Sequence, residues 1–191
     1  MDITRDCKSN LEITTSKPIE LVRSGNQEFF RGYAVVFFNG QEETEYRIMP
    51  NVRERISRTA FDNVLKNTPN IMAWYNHNED FMLGQTEDGS LSLIKDDRGI
   101  SFEIPFDADD PDHQKVKAKI LKGFAKGASF QANGNTSMKR SGNEFIRTIE
   151  EITELLEISI VNRPAYRGTE AVVRDIRRLE TEERIRRSTL L

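Results

Sequence analysis

Residues 90–106 read SLSLIKDDRGISFEIPF, and this stretch decides the fold class. In its second half every second residue is large and apolar, namely Ile100, Phe102, Ile104 and Phe106. That alternation is typical of a strand with one buried face. The intervening KDDRG, residues 95–99, is typical of a hairpin loop. The stretch therefore predicts two antiparallel strands joined by a short turn.

Strand patterns recur along the chain, at residues 28–38, 46–49, 71–75, 124–132, 144–149 and 155–161. Helical patterns cover residues 59–67 and 171–191, and a further helix begins at Pro111 and ends at Gly123. Thr59 and Asp110 are the candidate N-caps of the first and the middle helix. About eight strands and three helices predict a mainly β fold with flanking helices, of the α+β class.

The composition argues against several classes of protein. The 28 basic and 31 acidic residues give a net charge of −3, whereas a nucleic-acid-binding domain is usually strongly basic. The longest apolar run, residues 33–38, is far shorter than the roughly 20 residues of a membrane span. The single cysteine, Cys7, fits a reducing compartment, and one cysteine with two histidines lacks the ligand spacing of a structural zinc site. The sequence also has no glycine-rich phosphate loop and no Cys-x-x-Cys motif, so we expect no metal and no cofactor.

The chain divides into three parts. Residues 1–26 are polar and rich in turn formers, and they predict either a poorly ordered arm or an early edge strand. Residues 27–173 form the main domain. Residues 174–191 belong to a C-terminal amphipathic helix, which packs on the body or on a partner.

The two histidines differ in their local setting. His77 follows a buried strand and opens a polar turn, so it is either a solvated loop residue or a general base. His113 lies among acidic residues in the first turn of a helix that is predicted to be on the surface, and it is interpreted as structural.

Ser129 and Glu157 are candidates on predicted strands. If 124–132 is a strand, its small and aromatic residues Ala128, Phe130 and Ala132 face the core, and Ser129 faces the other side. Serine on such a face is either an ordinary polar residue or a hydroxyl nucleophile. Glu157 interrupts an apolar strand, so it points to solvent or meets a cation or an imidazole. Glu154 offers a second carboxylate, and the spacing does not choose between them.

Several short motifs occur in an ordered series. They are RGYAVVF at 31–37, ERI at 54–56 with TAF at 59–61, YNHN at 75–78, LGQT at 83–86, GSL at 89–91, DRGISFE at 97–103, GASF at 127–130, LEISIV at 156–161 and PAY at 164–166. Together they resemble the prohead (capsid maturation) protease family of tailed bacteriophages. The resemblance spans about residues 28–173.

The resemblance implies a serine endopeptidase that cleaves capsid and scaffold proteins during prohead maturation, and also itself. It implies a fold related to the herpesvirus assemblins, a β-barrel surrounded by helices. By motif, His77 is the general base, Ser129 the nucleophile and Glu157 the third member, although the herpesvirus enzymes use a second histidine there. Backbone N–H groups at Asn162 and Arg163 are the expected oxyanion donors.

The expected partners are the major capsid protein with its scaffolding segment and further copies of the chain, without nucleic acid or membrane. The expected location is the host cytoplasm, inside the assembling prohead. The alternative hypothesis is a non-enzymatic capsid-assembly or scaffold-associated protein that keeps the same fold. In that case the arginine-rich C-terminal helix would be its interaction element.

Overall fold

The computed structural model describes residues 9–15, 19–67, 70–162 and 169–189, and 51% of them lie in strands. The strands are β1 Ser9–Thr15, β2 Glu20–Ser24, β3 Gln27–Val36, β4 Tyr46–Met49, β5 Val52–Ile56, β6 Met72–Tyr75, β7 Asn78–Gln85, β8 Ser92–Lys95, β9 Gly99–Pro105, β10 Gly127–Ser141 and β11 Glu144–Val161. The helices are α1 Asp62–Lys66, α2 Pro111–Leu121 and α3 Thr169–Thr189, with a 3₁₀ turn at Glu42–Thr44. The prediction of a mainly β fold with flanking helices is confirmed.

The strands form two sheets. The larger has seven strands, with β1, β10, β11, β5 and β4 in that order, β6 also against β11, and β7 beyond β6. The smaller has the order β2, β3, β9 and β8. Over the described ranges neither sheet closes on itself, so the expected barrel is wrong. A barrel needs every strand paired on both sides, whereas β1, β4, β7, β2 and β8 each have one partner strand here.

β11 organises the larger sheet. Its 18 residues pair antiparallel with β10 along the whole strand, while residues 145–149 pair in parallel with β5 and residues 157–160 with β6. The sequence predicted two separate strands, 144–149 and 155–161. Three register shifts in the β10–β11 ladder interrupt the alternation between them, so the pattern does not reveal one continuous strand.

One large hydrophobic core takes residues from both sheets. Phe30 and Phe102 enter it from the smaller sheet, and Ala128, Phe130 and Ala132 from β10. All three β10 residues are buried, as the alternation predicted. The face of β10 that carries Ser129 is therefore the one turned away from this core.

The helices differ in how well the sequence predicted them. α2 begins as expected, because the Asp110 side chain accepts hydrogen bonds from two backbone N–H groups of its first turn. It ends where Gly123 adopts a φ of 68°, as a C-terminal glycine does. α1 is shorter than predicted: it begins at Asp62 without a side-chain cap, and the Thr59 hydroxyl instead lies 3.1 Å from that of Ser57.

α3 packs on the body of the protein, which is one of the two alternatives that the sequence left open. Leu179 is buried and Ile176 partly buried against Val52, Met138 and Phe145. An ion pair between Arg140 on β10 and Glu183 on α3, 3.2 Å long, adds to this contact. Among the described helices, none has both the length and the apolar character of a membrane span.

Four strands lack a clear strand pattern in the sequence. β1 and β2 fall within residues 1–26, for which the sequence predicts either an arm or an edge strand. β1 pairs with β10, and β2 pairs with β3. β7 follows the His77 turn, where the sequence is polar. β5 was missed because Glu54 takes an inward position between Val52 and Ile56, so the usual apolar alternation is broken.

Candidate active site

His77 lies in a two-residue hairpin turn between β6 and β7. Tyr75 and Asn78 are paired, and the two turn residues between them, Asn76 and His77, have φ values of 55° and 58°. Positive φ at both positions defines a type I′ turn, in which asparagine is favoured first and glycine second. Histidine is costly in this conformation, so the surrounding structure must hold it there.

Hydrogen bonds from neighbouring segments hold this turn. The Asn76 backbone N–H donates to the Ile160 carbonyl on β11 at 2.9 Å. The Asn76 side-chain oxygen accepts from the Asn162 backbone N–H at 3.0 Å. The His77 backbone N–H donates to Ser159 Oγ at 3.1 Å. The turn is thereby bonded to the last residues of β11 and to the residue after it.

Glu157 on β11 is fully buried and contacts the His77 ring. Its Oε1 lies 2.7 Å from His77 Nδ1, and its Oε2 accepts a hydrogen bond from Ser159 Oγ at 2.6 Å. A buried carboxylate in an apolar strand requires such partners, because burial without them is costly. The sequence left Glu157 either exposed to solvent or in contact with a cation or an imidazole, and in the structure it contacts the imidazole of His77. Glu154, the other candidate carboxylate, is exposed and accepts from Asn133 Nδ2 at 2.7 Å.

Ser129 lies on β10 directly across the ladder from Ser159, and its exposed fraction is 0%. Paired residues of neighbouring strands place their side chains on the same face of a sheet, and so do residues two apart in one strand. Ser129, Ser159 and Glu157 therefore share one face. In the structure His77 directly contacts Glu157. Ser129 lies on the neighbouring strand beside Ser159, which bonds to both His77 and Glu157.

The expected oxyanion donors are not supported in the same way. The Asn162 backbone N–H already donates to Asn76, and the Asn162 side chain accepts from the Tyr75 hydroxyl. This N–H therefore already has an acceptor within the protein, and its role as an oxyanion donor stays a prediction. Arg163 lies outside the described residues.

His113 lies apart from these residues. Its side chain is buried rather than on the surface, and it packs against Phe30 and Phe106. Its Nδ1 accepts from the Asp107 backbone N–H at 3.1 Å, and its Nε2 lies 3.0 Å from the Leu83 carbonyl. Both ring nitrogens thus have backbone partners, as in a histidine that fixes loops.

The sequence reasoning missed Ser159 and Asn76 as parts of the site. Ser159 lies two residues after Glu157 on the same predicted strand, so the period of two would have placed both on one face. Asn76 comes first in a turn, where a type I′ geometry favours asparagine. No local pattern in the sequence indicated that the Asn76–His77 turn would bond to the end of β11, where Ser159 lies.

A large cleft lies elsewhere, between the start of α2 and the β2–β3 hairpin. Its volume is about 740 Å³, and its lining includes Arg23, Glu28, Met82, Asp110 and His113. His77, Ser129 and Glu157 do not line it. Cleft size alone would therefore not have led to the His77–Glu157 pair.

Comparison with known proteins relates the chain to one family. The sequence profile described as caudovirus prohead serine protease matches residues 14–183. Among solved structures, the bacteriophage T4 capsid assembly protease is similar, with a TM-score of 0.56 and 14% identity, over 83% of this chain and 100% of that one. At this identity the similarity concerns the fold alone. The search of curated proteins gave no match.

Proposed function

Because the chain belongs to the caudovirus prohead serine protease family, we propose that His77, Ser129 and Glu157 are the catalytic triad of this endopeptidase. It is a serine protease of prohead maturation, and it acts within the assembling capsid. The observation that carries the triad proposal is the 2.7 Å contact between His77 Nδ1 and the fully buried Glu157 carboxylate.

The three residues have distinct tasks. A serine hydroxyl is too weak an acid to attack an amide at neutral pH, so His77 Nε2 accepts the proton as Ser129 Oγ bonds to the carbonyl carbon. Glu157 holds the ring and stabilises the imidazolium that results. His77 then gives the proton to the leaving amine. Water releases the acyl group from Ser129 in a second step, with His77 again as the base.

The substrates are capsid and scaffold proteins, and we propose the major capsid protein with its scaffolding segment as the main one. The same proposal has further parts. The protein cleaves itself, acts in the host cytoplasm and associates with other copies of the chain through residues 174–191. Its fold is related to that of the herpesvirus assemblins. The three-part division at 1–26, 27–173 and 174–191 supports a test by truncation. Sedimentation of a form that ends at Val173, within α3, measures the contribution of residues 174–191 to self-association.

Cleavage of the capsid precursor tests the proposed nucleophile. The protein is incubated with the precursor of the major capsid protein from the same phage, and new termini are mapped by mass spectrometry. Wild type is expected to process it, and Ser129→Ala is expected not to. Ser137→Ala removes a hydroxyl from the same strand β10 and is expected to keep activity. Processing by Ser129→Ala would remove Ser129 from the mechanism.

A further inference from the structure

Ser159 is a buried hydroxyl that the triad does not include. It lies on β11 two residues after Glu157, and its exposed fraction is 1%. Its oxygen bonds to two members of the candidate site, the His77 backbone N–H at 3.1 Å and Glu157 Oε2 at 2.6 Å. Ser159 therefore connects the turn that carries the imidazole with the carboxylate that contacts it.

The direction of these bonds follows from their chemistry. A backbone N–H only donates, so Ser159 Oγ is the acceptor toward His77. The hydroxyl has one proton, and it donates this proton to the carboxylate, its other partner among the described residues. Glu157 Oε2 is thus an acceptor, which is the role of an ionised carboxylate oxygen. An ionised carboxylate accepts at both oxygens, so an ionised Glu157 also accepts at Oε1 from His77 Nδ1–H.

We propose that Ser159 is a positioning residue that fixes the tautomer of His77. With the proton on Nδ1, the lone pair is on Nε2, which is the form a general base requires. The proposal rests on the proposed triad for its catalytic meaning. Ser159 acts through Glu157 and through the His77 backbone and does not touch the substrate.

The strained conformation of the His77 turn is a second observation that supports this role of Ser159. His77 has a φ of 58°, and its amide needs an acceptor because the turn directs it toward β11. One hydroxyl therefore sets both the backbone position of His77 and the protonation of its ring. Without it, Glu157 Oε2 loses its donor and the His77 amide loses its acceptor, so a second tautomer becomes accessible.

The other histidine of this two-histidine chain is an internal reference. His113 Nδ1 accepts from the Asp107 backbone N–H, so its proton lies on Nε2, which donates to the Leu83 carbonyl. The two histidines thus have opposite tautomers. Long-range ¹H–¹⁵N spectra of protein labelled with ¹⁵N-histidine distinguish the two forms directly.

The experiment compares Ser159→Ala with Ser137→Ala. Ser137 Oγ also donates to a carboxylate across the β10–β11 pair, Glu150 Oε1, at the same 2.6 Å. Spectra are recorded near pH 8 in the inactive Ser129→Ala background. We expect Nδ1–H alone for His77 in the parent and in the Ser137 variant, and a mixture of tautomers in the Ser159 variant. His113 is expected to remain Nε2–H in all of them.

A parallel kinetic measurement uses the same substitutions on an otherwise wild-type chain. Ser159→Ala is expected to lower kcat by about 10- to 100-fold with little change in KM, the loss expected for one hydrogen bond to a charged group. If Ser159→Ala does not fold, Ser159→Cys replaces the hydroxyl with a weak donor of similar shape. It is then expected to give mixed tautomers and a lower kcat.

An unchanged His77 spectrum in a folded Ser159 variant would overturn the proposal, whether or not the protein cleaves a substrate. A changed spectrum supports it. The absence of cleavage by every form, wild type included, would instead count against the proposed function. The two failures are therefore distinguishable.

Discussion

His77 occupies a turn position at which glycine is the favoured residue. Its φ of 58° is accessible to glycine without penalty, whereas a residue with a Cβ loses about 1 kcal/mol there. Because strained backbone is found at functional sites, this conformation of His77 beside a buried carboxylate supports the proposal that His77 is catalytic.

This strain predicts a difference between two variants that both lose the imidazole. His77→Gly should have a free energy of unfolding about 1 kcal/mol higher than His77→Ala, because only alanine keeps the strained Cβ. Neither should cleave substrate. Urea unfolding followed by circular dichroism measures the difference. Equal free energies for the two variants would show that the turn is not strained at this residue.

Glu157→Gln tests the carboxylate. A neutral amide of the same shape does not stabilise an imidazolium, so we expect cleavage to slow by about 10³- to 10⁴-fold while the fold is kept. Glu150→Gln is the matched control on β11, since Glu150 accepts from Ser137 rather than contacting the imidazole. Rates are measured on the capsid precursor. Wild-type rates in Glu157→Gln would assign the third role to another residue.

Sequence reasoning reached the site residues only in part. Alternation alone placed Ser129 opposite the core-facing side of its strand, and the desolvation argument left Glu157 either exposed to solvent or in contact with a cation or an imidazole. The partner itself, His77, is 80 positions away, and a local pattern contains no such contact. The catalytic roles of the three residues remain a prediction.

At the scale of the elements, a buried ion pair joins β5 to β11. Arg147 Nη1 lies 2.6 Å from Glu54 Oε2, and the two residues are partners in the parallel ladder. Burial raises the pKa of the nearby Tyr46 phenol, and the Glu54 charge adds to this effect. Glu54 and Arg147 are each only 2% exposed, so the pair lies in a region with little water.

Removal of the arginine predicts a large loss of stability. Arg147→Met leaves the Glu54 carboxylate buried without that guanidinium, and we expect the free energy of unfolding to fall by about 3–5 kcal/mol. Arg47→Met breaks the more exposed pair with Glu144 and should lower the free energy of unfolding far less, because exposed ion pairs stabilise little. Both are measured by urea unfolding. A similar loss in the two variants would contradict the distinction.

Elements with strong local signals were predicted well, as α2 with its Asp110 cap and the β8–β9 hairpin show. β5 was missed because its inward-facing Glu54 breaks the apolar alternation. The partner that stabilises Glu54, Arg147, lies on β11, far away in the sequence. Buried polar residues whose hydrogen-bond or ion-pair partners are far away in the sequence break the local apolar pattern. Tertiary pairing then decides the structure.

At the scale of the whole molecule, the class was predictable and the connectivity was not. Period-two alternation identifies strands but does not say which strands pair. The parallel contacts of β11 with β5 and β6 join segments that are far apart in the sequence. Within the described part of the chain they give an open seven-stranded sheet instead of the expected barrel. The β6 contact is also the one that carries His77 to Glu157.

Covalent labelling with a fluorophosphonate tests the proposed triad most directly. The reagent forms an Oγ–P bond with an activated serine and releases fluoride, so intact mass and peptide mapping locate the nucleophile. We predict one adduct per chain, on Ser129, in wild type and Ser137→Ala. We predict none in Ser129→Ala and much slower labelling in His77→Ala. An adduct on another serine, or equal labelling rates in wild type and His77→Ala, would contradict the triad.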